Sequence, residues 1–207
     1  MAKVTLKQKA YSHIKGKIIN CELEPGTYLD EKKIIDELDM SRTPIREALT
    51  RIEDEGYIKI IPKKGIFITQ ITMKNILQVF QVREVIEPAA LSKYGQNLSM
   101  EKIFQFKDRY SRKTFSEEEA NLLDDEFHKF LISAYNNKYM TDLYEEITEQ
   151  NHRVRVMSGK MGNSIDVTYN EHLYILNYLE NLQMEKASVA LHDHIQATKR
   201  RILERIF

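Results

Sequence analysis

Apolar residues recur at helical spacing from the start of the chain. Ala10, Ile14 and Ile18, with Tyr11 beside them, predict a helix over about Leu6–Cys21. Glu24-Pro25-Gly26-Thr27 has the composition of a turn. Ile34, Ile35 and Leu38 then mark a short helix over about Glu31–Leu38, with Asp30 as its cap. A third stripe, Ile45, Ala48, Leu49 and Ile52, belongs to a helix that opens near Ser41 and runs to about Glu55, where Gly56 is a natural stop. The period then changes. Tyr57–Ile61 and Ile66–Thr69 are β-rich runs, and Pro62-Lys63-Lys64-Gly65 between them reads as the turn of a hairpin. Three helices and a hairpin predict a winged helix-turn-helix over residues 1–70.

The third helix has the most distinctive opening. Ser41 or Thr43 can cap its free amides, and Pro44 suits a first turn. With the apolar stripe turned inward, Arg42, Thr43 and Arg46 face elsewhere. A short helix offering polar residues at its front is the geometry that enters a DNA major groove. Arg42 and Arg46 are the candidates for base or phosphate contact, with Thr43 beside them; an arginine bidentate to guanine contributes about 1–3 kcal/mol of discrimination. Lys32, at the start of the second helix, and Lys63, Lys64 and Gly65 at the wing are candidates for the DNA backbone. Scattered lysines are also what a solvated face looks like. The placement of Arg42 and Arg46 sets those two apart.

Beyond a boundary near Gln70–Met73 the pattern is helical throughout. Helices are predicted at about 73–95, 99–112, 116–136, 138–157, 164–182 and 184–206, an all-α six-helix bundle over residues 71–207. Ser99 and Ser116 are N-caps, the second followed by three glutamates. Gly95, Gly159 and Gly162 mark ends, and Pro88 should kink or break the first of these helices. The fold class is therefore mainly α.

Composition narrows the picture only a little. The 31 Lys and Arg balance 31 Asp and Glu. Residues 1–70 carry 13 basic against 11 acidic side chains and the rest 18 against 20, so the two parts are about +2 and −2. Affinity for nucleic acid must come from placement of charge. Cys21 is alone, so an internal disulfide is excluded, and it reads as a packed small residue. No run approaches the ~20 apolar residues of a membrane span. The expectation is a soluble cytoplasmic protein.

Several runs resemble the GntR family of bacterial transcriptional regulators: Leu23–Leu29, Ser41-Arg42-Thr43-Pro44-Ile45-Arg46-Glu47-Ala48-Leu49, Glu55-Gly56-Tyr57 and the Gly65 wing. The second part resembles the FCD ligand-binding domain of the FadR subfamily, through Val82–Pro88, Asp124–His128, Glu171-His172 and His194-Ile195. Six helices make it more similar to the shorter, VanR-like branch. The resemblance implies a homodimer on a palindromic double-stranded operator, here expected to be a repressor, retuned by a small carboxylate metabolite. It also implies metal ligands at Asp124, His128, His172 and His194.

Helical phase tests that ligand set independently, at about 100° per residue. Asp124 lies within about 60° of Phe127, Leu131 and His128, on the apolar side of its helix. His172 sits among Ile165, Ile175, Leu176 and Leu179, and His194 among Ala187, Leu191, Thr198 and Ile202; His192 lies on the other flank. One inward histidine is usually a satisfied core residue. Three, with an aspartate, suit a divalent transition metal such as zinc, nickel or manganese, with open positions for a carboxylate. Arg83 is the effector candidate, as a planar fork in the cavity, but it can equally pair with Glu87 one turn on. Arg153 and Arg155 are weaker candidates for the same task. His13 and His152 receive no role, and the aromatics Phe104, Phe106, Tyr135, Tyr139, Tyr144 and Tyr174 read as packing. Two other readings stay open: a metal-dependent hydrolase using the His/Asp site, and a regulator whose metal is purely structural.

Overall fold

The structure is a computed structural model that describes residues 5–112, 115–159 and 165–207, with the side chains of 165–167 outside the description. It divides into two compact units between Thr72 and Met73. Among the described residues no helix is long and apolar enough to cross a membrane.

The first unit holds α1 (Leu6–Ile19), β1 (Tyr28–Leu29), α2 (Glu31–Leu38), α3 (Arg42–Asp54), β2 (Ile58–Ile61) and β3 (Gly65–Ile68). Ile14, Ile18, Ile34, Ile45, Leu49 and Ile52 are all buried together. Each contributes about 1.5–3 kcal/mol by leaving water. That burial fixes the rotation of α3 and so decides which of its residues face solvent. Asp30 caps α2, its Oδ1 accepting from the Lys32 amide at 3.0 Å. Of the two cap candidates, Ser41 holds the cap position of α3, without a side-chain hydrogen bond. The first helix also stops two residues early, because Cys21 turns left-handed (φ 51°) and buries its thiol.

The hairpin β2–β3 forms as expected, with Ile58 opposite Ile68 and Ile61 opposite Gly65. A third strand, β1, was not anticipated. It pairs antiparallel with β3, Tyr28 opposite Phe67, giving the order β1-β3-β2. The preceding turn starts that pairing, since the Gly26 amide donates to the Ile68 carbonyl at 2.9 Å. Gly26 sits at φ 83°, a conformation glycine adopts without strain.

The second unit is a bundle of α4 (Met73–Tyr94), α5 (Met100–Arg112), α6 (Glu117–Ile132), α7 (Lys138–Gly159), α8 (Ile165–Glu180) and α9 (Met184–Ile206). Ser116 makes a full capping box with Glu119 at the start of α6. That helix ends at Ile132 rather than 136; the chain passes through a 3₁₀ turn (Ser133–Tyr135) and leaves it at Asn136, φ 47°. Pro88 does not break α4. Arg83 and Glu87 before it and Ala90 and Leu91 after it are buried, and Ser188 of α9 donates to the Pro88 carbonyl at 2.9 Å. Packing on both sides outweighs the one lost backbone bond. Gly162, expected to mark an end, lies outside the described residues.

Candidate metal centre and nucleic-acid interface

Asp124 and His128 stand one turn apart on α6, His172 on α8 and His194 on α9, all four buried. One ligand-capable atom from each lies within 4.8 Å of the others. His172 Nε2 is 3.2 Å from His194 Nε2 and 3.6 Å from Asp124 Oδ1, and His128 Nε2 is 3.9 Å from that same oxygen. Helical phase put each side chain inward; bundle packing brought the four to one point.

The electrostatics suit a cation. Burial lowers all three imidazoles. His194 falls to about 4 despite its bond to Glu171, and His172 falls well below its ordinary value, with His194 and His128 adding to the effect. His128 is lowered by burial against the pull of Glu87. Neutral imidazole is the form that ligates. Two of the rings carry a carboxylate on their far nitrogen, as oriented ligands require: His128 Nδ1 meets Glu87 Oε2 at 2.6 Å and His194 Nδ1 meets Glu171 Oε2 at 2.7 Å. Arg201 grips Glu171 with two bonds of 2.7 Å. Burial alone would raise the Glu171 carboxyl, but these hydrogen bonds bring it to about 2. His172 differs: its buried Nδ1 has no hydrogen-bond partner among the described residues, and the Tyr110 and Phe127 rings are centred 4.9 and 4.5 Å from its own ring centre. Three neutral imidazoles and a carboxylate could together hold a borderline divalent cation.

Arg83 is buried among polar partners. It is 1% exposed; Nε donates to Glu87 Oε1 at 2.5 Å, Nη1 to Asn151 Oδ1 at 2.8 Å, and Nη2 lies 3.2 Å from His128 Nε2. Of its two open roles the geometry matches the pair with Glu87, a carboxylate that also accepts from the Tyr144 hydroxyl at 2.6 Å. Burial would raise Glu87, but Arg83 and His128 hold it far below the carboxylate range.

Arg155, a weaker candidate, lies beside Asp124 and lines a cavity. Its Nη1 meets Asp124 and its Nη2 meets Asp125, which also contacts His152. Beside Asp124 lies a cavity of about 90 Å³, lined in part by Arg155, Ser158, Thr198, Arg201 and Arg205. The buried Ser158 Oγ has no hydrogen-bond partner among the described residues. Arg201 and Glu171 were missed as site residues. A signal existed for the first: seven residues after His194, it falls about 20° from the same face of α9.

In the first unit, Arg42, Thr43 and Arg46 are exposed along the front of α3, and Lys32 is exposed at the start of α2. Lys63, Lys64 and Gly65 are exposed at the β2–β3 turn, with Lys63 at φ 64° and Gly65 at φ 112°. The structure thus brings Arg46 and the wing to one groove, lined by Arg46, Thr50, Ile60, Pro62, Lys63 and Gly65. Glu31 also lines it and binds Arg46, which sequence reasoning did not foresee. His13 instead pairs with Glu37 on the surface.

Comparison with known proteins agrees with both halves. The gntR family of bacterial regulatory proteins matches residues 6–68, and the FCD domain matches residues 78–197. The chain is similar to the HTH-type transcriptional repressor RspR of Escherichia coli (strain K12), 26% identical over 196 residues that cover 92% of this chain and 86% of that one. A solved GntR regulator from Rhodococcus sp. RHA1 superposes with a TM-score of 0.82 at 19% identity, over 97% of this chain and 99% of that one. The metal-free FCD domain of TM0439 superposes with a TM-score of 0.60 at 21% identity, over 66% of this chain and 96% of that one.

Proposed function

The chain belongs to the gntR family of bacterial regulatory proteins and carries an FCD domain, so it is a DNA-binding transcriptional regulator; from that premise we propose a repressor controlled by a small organic acid at a metal-containing site. The observation that carries this reading is the convergence of Asp124, His128, His172 and His194 within 4.8 Å beside a cavity walled by arginines. Those four residues would hold a divalent metal of the zinc, nickel or manganese class. When bound, it supplies an electrophilic position for a carboxylate oxygen. Arg155 and Arg201 bring positive charge to the same cavity, and Arg201 is held in place by Glu171. A volume of about 90 Å³ suits a small acid rather than a drug-sized ligand. That a related FCD domain is specified as metal-free is in keeping with metal binding by this fold, and the name of RspR supports repression.

In the first unit, Arg42 and Arg46 read bases while Lys32, Lys63, Lys64 and Gly65 meet the backbone. A homodimer on a palindromic operator presents two such surfaces. The acid acts by favouring a dimer geometry that fits the operator poorly. The test is elemental analysis of purified protein beside Asp124→Ala and His172→Ala. We expect about one divalent transition metal per chain in the wild type and almost none in either variant. A wild type that stays metal-free after loading with zinc, nickel or manganese would end the metal reading and leave DNA binding in place.

A further inference from the structure

We propose that Glu31 is a specificity-determining positioning residue: it holds Arg46 by Nε and so aims the other two guanidinium nitrogens outward as a fork for guanine. The inference rests on the assignment of Arg46 to base reading. Glu31 Oε1 accepts from Arg46 Nε at 3.0 Å, from a helix fifteen residues earlier. The arginine side chain remains 66% exposed, whereas that of Glu31 is 28% exposed. Glu31 is therefore the anchored partner and Arg46 the presented one.

Charge makes the case sharper. An acid on a DNA-facing groove repels phosphate, so on electrostatics alone it weakens binding to every sequence. Asp30 already caps α2, so Glu31 is not needed as a cap, and its first-turn carboxylate gains only a small stabilisation from the helix dipole. What Glu31 does supply is geometry. An exposed arginine samples many rotamers, and binding must freeze them. With Nε engaged, the Nη1–Nη2 edge is left, a pair of donors that matches guanine O6 and N7. Glu31 and Arg46 line the same groove as Pro62 and Lys63 of the wing, so the fork and the wing address one duplex.

The experiment selects duplexes from a random library with full-length protein, then measures anisotropy on the recovered duplex and on a scrambled one. Glu31→Ala should weaken the recovered duplex by about tenfold or more. The scrambled duplex should bind equally well or better. The preference lost should fall at the same guanine positions as in Arg46→Ala. Glu31→Gln, whose amide oxygen still accepts from Nε, should retain more discrimination than Glu31→Ala, and it covers the case in which the alanine variant does not fold. If Glu31→Ala or Glu31→Gln tightens both duplexes in parallel, Glu31 is only a surface charge and the proposal is overturned. Independent, multiplying effects of Glu31→Ala and Arg46→Ala in the double variant would overturn it too. A wild type that recovers no sequence would instead refute base reading by Arg46, and Glu31 with it.

Discussion

Arg83→Met separates a structural guanidinium from a ligand clamp. Arg83 is 1% exposed and Glu87 is fully buried, so removing the cation strands a carboxylate that water cannot reach. The Tyr144 hydroxyl and His128 still donate to it, each at 2.6 Å, which tempers the loss. Truncating one partner of a buried pair costs about 3–5 kcal/mol, and the two remaining donors argue for the lower end, about 3 kcal/mol. Methionine preserves most of the aliphatic stem, so lost packing adds little, although the guanidinium carbon, 5.2 Å from the centre of the Phe80 ring, is lost with the cation. For a chain of this size, about 3 kcal/mol corresponds to a melting temperature lower by about 6–12 °C. The assay is thermal and urea unfolding by far-UV circular dichroism on protein stripped with a chelator, so that altered metal binding does not enter. Arg83→Met/Glu87→Leu should recover more than half of the loss, because no orphaned charge then remains. An Arg83→Met protein that melts within about 2 °C of wild type yet no longer responds to carboxylates would refute the reasoning and restore the clamp.

Two further outcomes follow from contacts in the structure. Arg155→Ala frees Asp124 from a competing cation, so metal affinity in a chelator-competition titration should rise on the order of tenfold, while thermal stabilisation of the metal-loaded protein by small carboxylates disappears; a fall in metal affinity would instead make Arg155 an orienting partner of Asp124. Glu55 is hydrogen-bonded by Tyr11, Lys15 and Arg51; burial would raise it, but Lys15 and Tyr11 lower it below its ordinary 4.5. A depressed carboxyl stabilises the folded state above its unfolded pKa and ceases to as the pH falls through its folded one. The melting gap between wild type and Glu55→Gln should therefore be constant above about pH 5 and close below 4.5; a gap that widens in acid would contradict the assignment.

Much of this protein is legible along the chain because its signals are local. Periods of 3.6 and 2 place the helices and the hairpin, and Ser116 and Asp30 announce helix starts through bonds to amides two or three residues away. The same periodicity turns Asp124, His128, His172 and His194 inward and Arg42 and Arg46 outward. Phase around one helix does not say which other helix it meets. The strand β1 has only two residues, too few to show a period, and exists because β3 lies alongside. Pro88 is a local breaker overruled by packing with α9. The largest changes concern arginines, whose long stems reach several partners. Arg83 could pair or clamp; its engagement with Glu87, Asn151 and His128 depends on where α6 and α7 come to rest. Arg155 meets Asp124 across 31 positions of sequence, and Arg46 meets Glu31 across 15. The sequence by itself determined the elements, their buried faces and the chemical classes gathered on each. Only the tertiary structure decided which charges neutralise one another and which remain to meet a ligand, because that choice depends on distances between helices, which no local pattern encodes.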